Sequence, residues 1–181
     1  MAPRLAQSYS FWLMLSEPEH SHFQALINNA AKVLGGPLFV PHITLAGGFS
    51  GDPADLATKL EMFVESVNVF EITFGGLATT DSFFESLFVR IVESDALMAL
   101  RKRAYRILSK EEPPYRAHMS LAYGDYTKDA KLESIWSKLF DDYTQTVTIE
   151  KIALAYNDEV NLEWKVLRTE SLRDITRPKL G

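Results

Sequence analysis

Two short stretches, Pro41-His42-Ile43-Thr44-Leu45 and Ala117-His118-Met119-Ser120-Leu121, share one pattern: apolar, His, apolar, hydroxyl, apolar. That alternation has the period of a β-strand. In a strand, each His shares a face with the hydroxyl two residues on, while Ile43, Leu45, Met119 and Leu121 turn to a core. The chain has only four His, and two of them occupy these frames. A fold that accommodates both must build two half-buried strands, each with an imidazole and a hydroxyl on its polar face.

The surrounding chain repeats in the same order. Residues 8–15 are rich in aromatic and aliphatic side chains and predict a strand. Phe23, Leu26, Ile27, Ala30, Ala31 and Leu34 recur at helical spacing over 21–34, and Gly35-Gly36-Pro37 stops that helix. Residues 38–46 form the first motif strand, ended by Gly47-Gly48. Asp52 caps a second helix with Pro53 at its first position, and 69–77 returns as a strand. The second half predicts a strand over 82–92, a helix over 94–108, the motif strand over 115–123, a helix capped by Thr127, and a strand over 144–156. A last strand over 162–168 follows a turn. The cap after each motif falls ten residues past His42 and nine past His118. The expectation is one domain built of two repeats, 8–78 and 82–169, with short flexible termini.

Charge and composition narrow the partners. Net charge is −5, and a protein that tracks long nucleic acid usually presents a basic face. The basic cluster Arg101, Lys102, Arg103, Arg106 and Lys110 lies beside the apolar stripe Leu97, Leu100, Ala104 and Leu108, and reads as a solvated helix face. No apolar stretch has the length of a membrane span, and residues 1–7 lack the apolar run of a secretory signal. The chain has no Cys, which suits a reducing compartment, so a cytoplasmic monomer without long nucleic-acid or membrane partners is expected.

Two imidazoles can exchange protons near neutral pH, and two hydroxyls can donate to phosphate oxygens. Together they suit a phosphodiester. His20 and His22 have only Glu17 and Glu19 nearby, so no metal site is expected. Neither glycine pair has the spacing of a phosphate-cradling loop.

The motifs His42-Ile43-Thr44 and His118-Met119-Ser120, in a duplicated strand and helix unit, resemble the 2H phosphoesterase superfamily. Phe39-Val40-Pro41-His42-Ile43-Thr44, Ala117-His118-Met119-Ser120-Leu121-Ala122-Tyr123, Tyr9-Ser10-Phe11-Trp12 and Phe83-Phe84 are similar to the plant and yeast cyclic phosphodiesterases. Plant members carry several cysteines. This chain has none, so control through a disulfide cannot apply.

The resemblance implies an α+β, bilobal fold: two antiparallel sheets around a central cleft with helices outside. It implies hydrolysis of small cyclic phosphates without metal or cofactor. ADP-ribose 1″,2″-cyclic phosphate would open to ADP-ribose 1″-phosphate, and nucleoside 2′,3′-cyclic phosphates to 2′-phosphates, downstream of tRNA splicing. His42 and His118 would be catalytic, His118 as base and His42 as acid. Thr44 and Ser120 would hold phosphate. By strand parity Tyr123 faces away from His118 and packs in the core, yet in the resembling family a Tyr here sits at the site. Trp12 and Phe84 are candidates to stack on a base, with core packing the alternative. Arg116 shares parity with His118, so it reaches either phosphate or a surface ion pair. Two other readings stand beside this one. The first is an RNA-end processor of the ligase-like or exonuclease type; the second is a nucleotide-binding module without turnover.

Overall fold

A computed structural model describes residues 7–125 and 145–174. The expected helix capped by Thr127 and both extreme termini lie outside the described residues. In chain order the elements are β1 (Gln7–Leu15), α1 (Glu19–Leu34), β2 (His42–Phe49), α2 (Pro53–Val64) and β3 (Phe70–Ala78), then a 3-10 turn (Phe83–Glu85), β4 (Leu87–Ile91), α3 (Asp95–Ile107), β5 (His118–Ala122), β6 (Thr146–Asp158) and β7 (Glu163–Ser171).

Local chemistry accounts for the helix ends. The Asp52 carboxylate accepts from the Ala54 and Asp55 amides at 2.8 and 3.3 Å, with Pro53 where a free N–H would be orphaned. Ser94 Oγ accepts from Leu97 N at 3.2 Å and starts α3. Gly35, at φ 79°, ends α1 in the left-handed region that a side chain disfavours.

The strands pair antiparallel in the order β2-β1-β6-β3-β4-β5, with β7 also on β6. This gives two lobes, β2-β1-β6-β7 and β3-β4-β5. They are joined where residues 146–149 of β6 meet residues 70–73 of β3. The sequence repeats and the lobes do not coincide. β3, from the first half, completes the lobe of β4 and β5, while β6, from the second half, completes the lobe of β1 and β2. The helices cross in the same way: α1 packs on β5 and sets Phe23 against Phe74 at 5.1 Å, and α3 packs on β2.

One core runs behind both lobes. Phe11, Leu13, Ile43 and Leu45 from the first lobe meet Leu60 and Phe63 of α2, while Phe74, Val89 and Met119 line the second. Each such side chain removed from water contributes about 1.5–3 kcal/mol. The opposite faces of β1, β2, β4 and β5 are left to build a cleft.

Several expected boundaries shift for identifiable reasons. Residues 38–41 are not strand, and β2 begins at His42 itself. Gly47-Gly48 does not end β2. Tyr9 pairs with Phe49 and Ser10 with Gly47, so Gly48, at φ 76°, is the extra residue of a bulge. Residues 83–85 form a 3-10 turn instead of strand, closed by Thr80, whose N and Oγ1 both donate to Glu85 O at 3.2 and 2.8 Å.

Candidate active site

The two motif strands present their polar residues in matched settings. On β2, His42 lies opposite Met14 and Thr44 opposite Trp12. On β5, His118 lies opposite Arg90 and Ser120 opposite Phe88. Each imidazole therefore leans on an aromatic ring from the neighbouring strand. Trp12 and His42 are stacked with centroids 3.6 Å apart and planes 12° apart. Phe88 meets His118 edge-on at 5.3 Å and 66°.

Each ring is pinned by the carbonyl two residues before it. His42 Nδ1 donates to Val40 O at 2.7 Å, and His118 Nδ1 donates to Arg116 O at 2.8 Å. A carbonyl accepts only, so Nδ1 carries the proton and Nε2 is the nitrogen left for chemistry. Both rings line one cavity of about 660 Å³, and the charge of His118 is felt at His42. The rings differ in burial. His42 is 6% exposed, and burial pulls its pKa down to about 4, opposed by the Val40 hydrogen bond. It is a neutral imidazole at pH 7. His118 is half-buried.

The hydroxyls are less alike than the sequence pattern. Thr44 lines the cavity. Ser120 is buried, donates to Phe84 O at 3.0 Å and also meets the Tyr123 phenol. Tyr123 packs in the core, as parity implies, and also lines the cavity. Strand β5 ends at Ala122, so alternation no longer governs the next residue. Burial raises the Tyr123 pKa, which keeps the phenol protonated and able to donate.

An aromatic wall flanks the imidazoles. Tyr123 stacks on Phe39 at 4.1 Å and 21°, and both Phe84 and Trp164 approach Tyr123, at 5.3 and 5.1 Å. Trp12 is not an open stacking face. It is 1% exposed and its ring is taken up by His42, because its strand places it directly beside the motif. Ser8, Ser10 and Asn157 line the cavity as well, and Asn157 Nδ2 donates to Ser10 Oγ at 2.9 Å.

Arg116 reaches the cavity but is paired with Glu85 at 2.5 Å. Arg101 corrects the reading of a solvated basic face. It is 2% exposed, lines the cavity and lies over the rings of Tyr115 and Tyr105 at 3.8 and 4.6 Å. Lys102, Arg106 and Lys110 are exposed as expected. Among the described residues, no group of three or more His, Cys, Asp or Glu is placed to hold a metal ion, and no helix is long and apolar enough to cross a membrane.

Sequence reasoning missed Trp164, Phe88, Arg101 and Tyr115. Trp164 belongs to β7, which has no counterpart in the first half, so the repeat gave no reason to look there. Phe88 could have been found by aligning the two halves, since it pairs with the motif hydroxyl as Trp12 does.

Two imidazoles presented to one cavity from two strands, one in each lobe of an antiparallel fold, define a class. The model of the 2′-5′ RNA ligase superfamily matches residues 22–161, and the chain belongs to that superfamily, the phosphoesterases whose paired motifs it shares. It is 26% identical over 125 residues to the cyclic phosphodiesterase of Arabidopsis thaliana, a match that covers 68% of each protein. Among solved structures it resembles E. coli LigT complexed with 3′-AMP, at TM-score 0.60 and 13% identity, covering 94% of this chain and 100% of that one. It also resembles a Thermus thermophilus protein, TT0787, at TM-score 0.54 and 16% identity, covering 93% and 99%. At these identities the structural likenesses speak for the fold.

Proposed function

We propose that the protein is a metal-independent cyclic phosphodiesterase that opens nucleoside 2′,3′-cyclic phosphates to 2′-phosphates and ADP-ribose 1″,2″-cyclic phosphate to ADP-ribose 1″-phosphate. The observation that carries this reading is the matched pair of pinned imidazoles, each with Nδ1 on a carbonyl and both lining one cavity. The size of the cavity falls among small-ligand sites, roughly 300–1,000 Å³, and LigT has been crystallised with 3′-AMP, NADP+ and ATP.

The neutral state of the buried His42 favours a division of labour opposite to the one expected from sequence. His42 is neutral and is the proton acceptor. His118 in its imidazolium form is the donor. His42 Nε2 takes a proton from water as the water oxygen bonds to phosphorus. The bond from phosphorus to the 3′ oxygen breaks, and His118 Nε2–H protonates that oxygen. The new imidazolium at His42 lies on the face of Trp12, which attracts a cation. Thr44 donates to a non-bridging oxygen as charge grows there. Ser120 joins it by turning from Phe84 O, and the Tyr123 phenol, which lines the cavity, is a further donor to the phosphate. Phe84 and Trp164 offer aromatic surface to a base.

The test compares turnover of a mononucleoside 2′,3′-cyclic phosphate, ADP-ribose 1″,2″-cyclic phosphate and an RNA ending in a cyclic phosphate. The expected result is turnover of one or both small substrates above that of the RNA. Turnover confined to the RNA would replace this reading with an RNA-end processor. Tight binding of the small substrates without turnover would replace it with a binding module.

A further inference from the structure

We propose that Arg101 is a positioning residue that locks the strand of His42 to the segment leading into His118, and so sets how the two imidazoles face each other. The inference rests on the two-imidazole reading above. Arg101 is on α3, in neither motif. Its Nη1 donates to Leu45 O at 2.7 Å, three residues beyond His42 on β2. Its Nη2 donates to Pro113 O at 3.1 Å, five residues before His118. One planar group thus holds both motif-bearing segments.

The surroundings reinforce the same junction. The guanidinium lies 3.8 Å from the Tyr115 ring centroid, and the Tyr115 hydroxyl donates to Thr44 O at 2.9 Å. The ring of Tyr105 lies 4.6 Å away on the same cation, and Gly47 N donates to the Tyr105 hydroxyl at 3.1 Å. Strand β2 is at the end of the strand order, with β1 on one side only. Arg101, Tyr115 and Tyr105 meet its backbone at Leu45, Thr44 and Gly47, beside the register shift between Phe11 and Trp12. Glu112 Oε1 lies 3.0 Å from Arg101 Nε, close enough for an ion pair but not aligned for a hydrogen bond.

Packing alone does not ask for this residue. A buried charge loses its hydration, and an apolar side chain of similar volume often serves stability as well. A rigid fork that bonds two diverging carbonyls while stacking on rings supplies geometry, and an ammonium group cannot copy it. Displacements near 1 Å from productive geometry cost on the order of 100-fold in rate. Position 101 is therefore where the fold exchanges cheap packing for alignment.

The experiment uses Arg101→Met, which keeps bulk, and Arg101→Lys, which keeps charge, both confirmed folded by thermal melting. With a cyclic phosphate as substrate, both should lose at least tenfold in kcat with KM held within about threefold, and Arg101→Ala should regain rate with added guanidinium ion but not with methylammonium. In the substrate-free protein, the ring proton resonances of both His42 and His118 should shift together in Arg101→Met. This arm holds whether or not a cyclic phosphate is the substrate, so its failure is separate from failure of the proposed activity. Wild-type kcat in a folded variant, a loss that only tracks the unfolded fraction, or unmoved imidazole resonances would overturn the proposal.

Discussion

Trp12 and His42 lie face to face, 3.6 Å between ring centroids, and the indole is supplied by the strand that pairs with the motif. The contact gives the buried imidazole a surface that favours its charged form over its neutral one. It does not compensate for desolvation in the resting protein, where the His42 pKa stays near 4. Its weight falls on the moment at which His42 holds a proton. Trp12→Leu should therefore lower kcat by roughly 5- to 30-fold, the rate equivalent of about 1–2 kcal/mol. Steady-state kinetics on the folded variant checks this, and a rise in KM alone would instead assign Trp12 to substrate binding.

The same burial makes a prediction about stability. The unfolded chain protonates His42 near its ordinary value of 6.5, and the folded protein only near 4. Between those values the unfolded state binds more protons, so stability rises with pH across that window and is lost as pH falls through it. The loss amounts to roughly 3 kcal/mol at full extent. Urea unfolding at pH 7 and pH 4.5 should show a larger acid loss in the wild type than in His42→Asn, which has no imidazole to charge.

The hydroxyls should separate under mutation. Thr44 faces the cavity, so Thr44→Ala should reduce turnover by up to a few kcal/mol of barrier and leave the melting temperature nearly unchanged. Ser120 donates to Phe84 O inside the protein. Ser120→Ala leaves that buried acceptor short of a donor, which costs about 1–3 kcal/mol of stability besides any effect on rate. Melting temperature and kcat measured on both variants distinguish the two.

Activity should survive exhaustive treatment with a chelator, since every proton transfer is assigned to an imidazole and each phosphate contact to a hydroxyl or phenol. Loss of activity that a divalent ion restores would require a different mechanism.

Much of this arrangement is legible in the sequence. Period-two alternation put His42, Thr44 and His118 at one cavity, while Ser120 is buried and does not line it; period-3.6 stripes with Asp52 and Ser94 at their starts placed α2 and α3. The failures have physical causes. A glycine at positive φ both ends strands and makes bulges, so Gly47-Gly48 predicts a strand end where Gly48 instead makes a bulge. Arg101 follows Leu97 by four residues and precedes Ala104 by three, which puts it inside the apolar stripe of α3; its charge made it read as surface. The exchange of β3 and β6 between lobes depends on long-range pairing that no local pattern records.

The central claim is that two imidazoles act on one phosphorus atom. Phosphorus NMR of a 2′,3′-cyclic nucleotide incubated with wild type, His42→Ala and His118→Ala tests it most directly, because it reports turnover and the bond broken in one spectrum. The account predicts a nucleoside 2′-phosphate from the wild type and a fall of about 10²–10⁴-fold for each variant. A 3′-phosphate product, or near-normal turnover after loss of either imidazole, would contradict it.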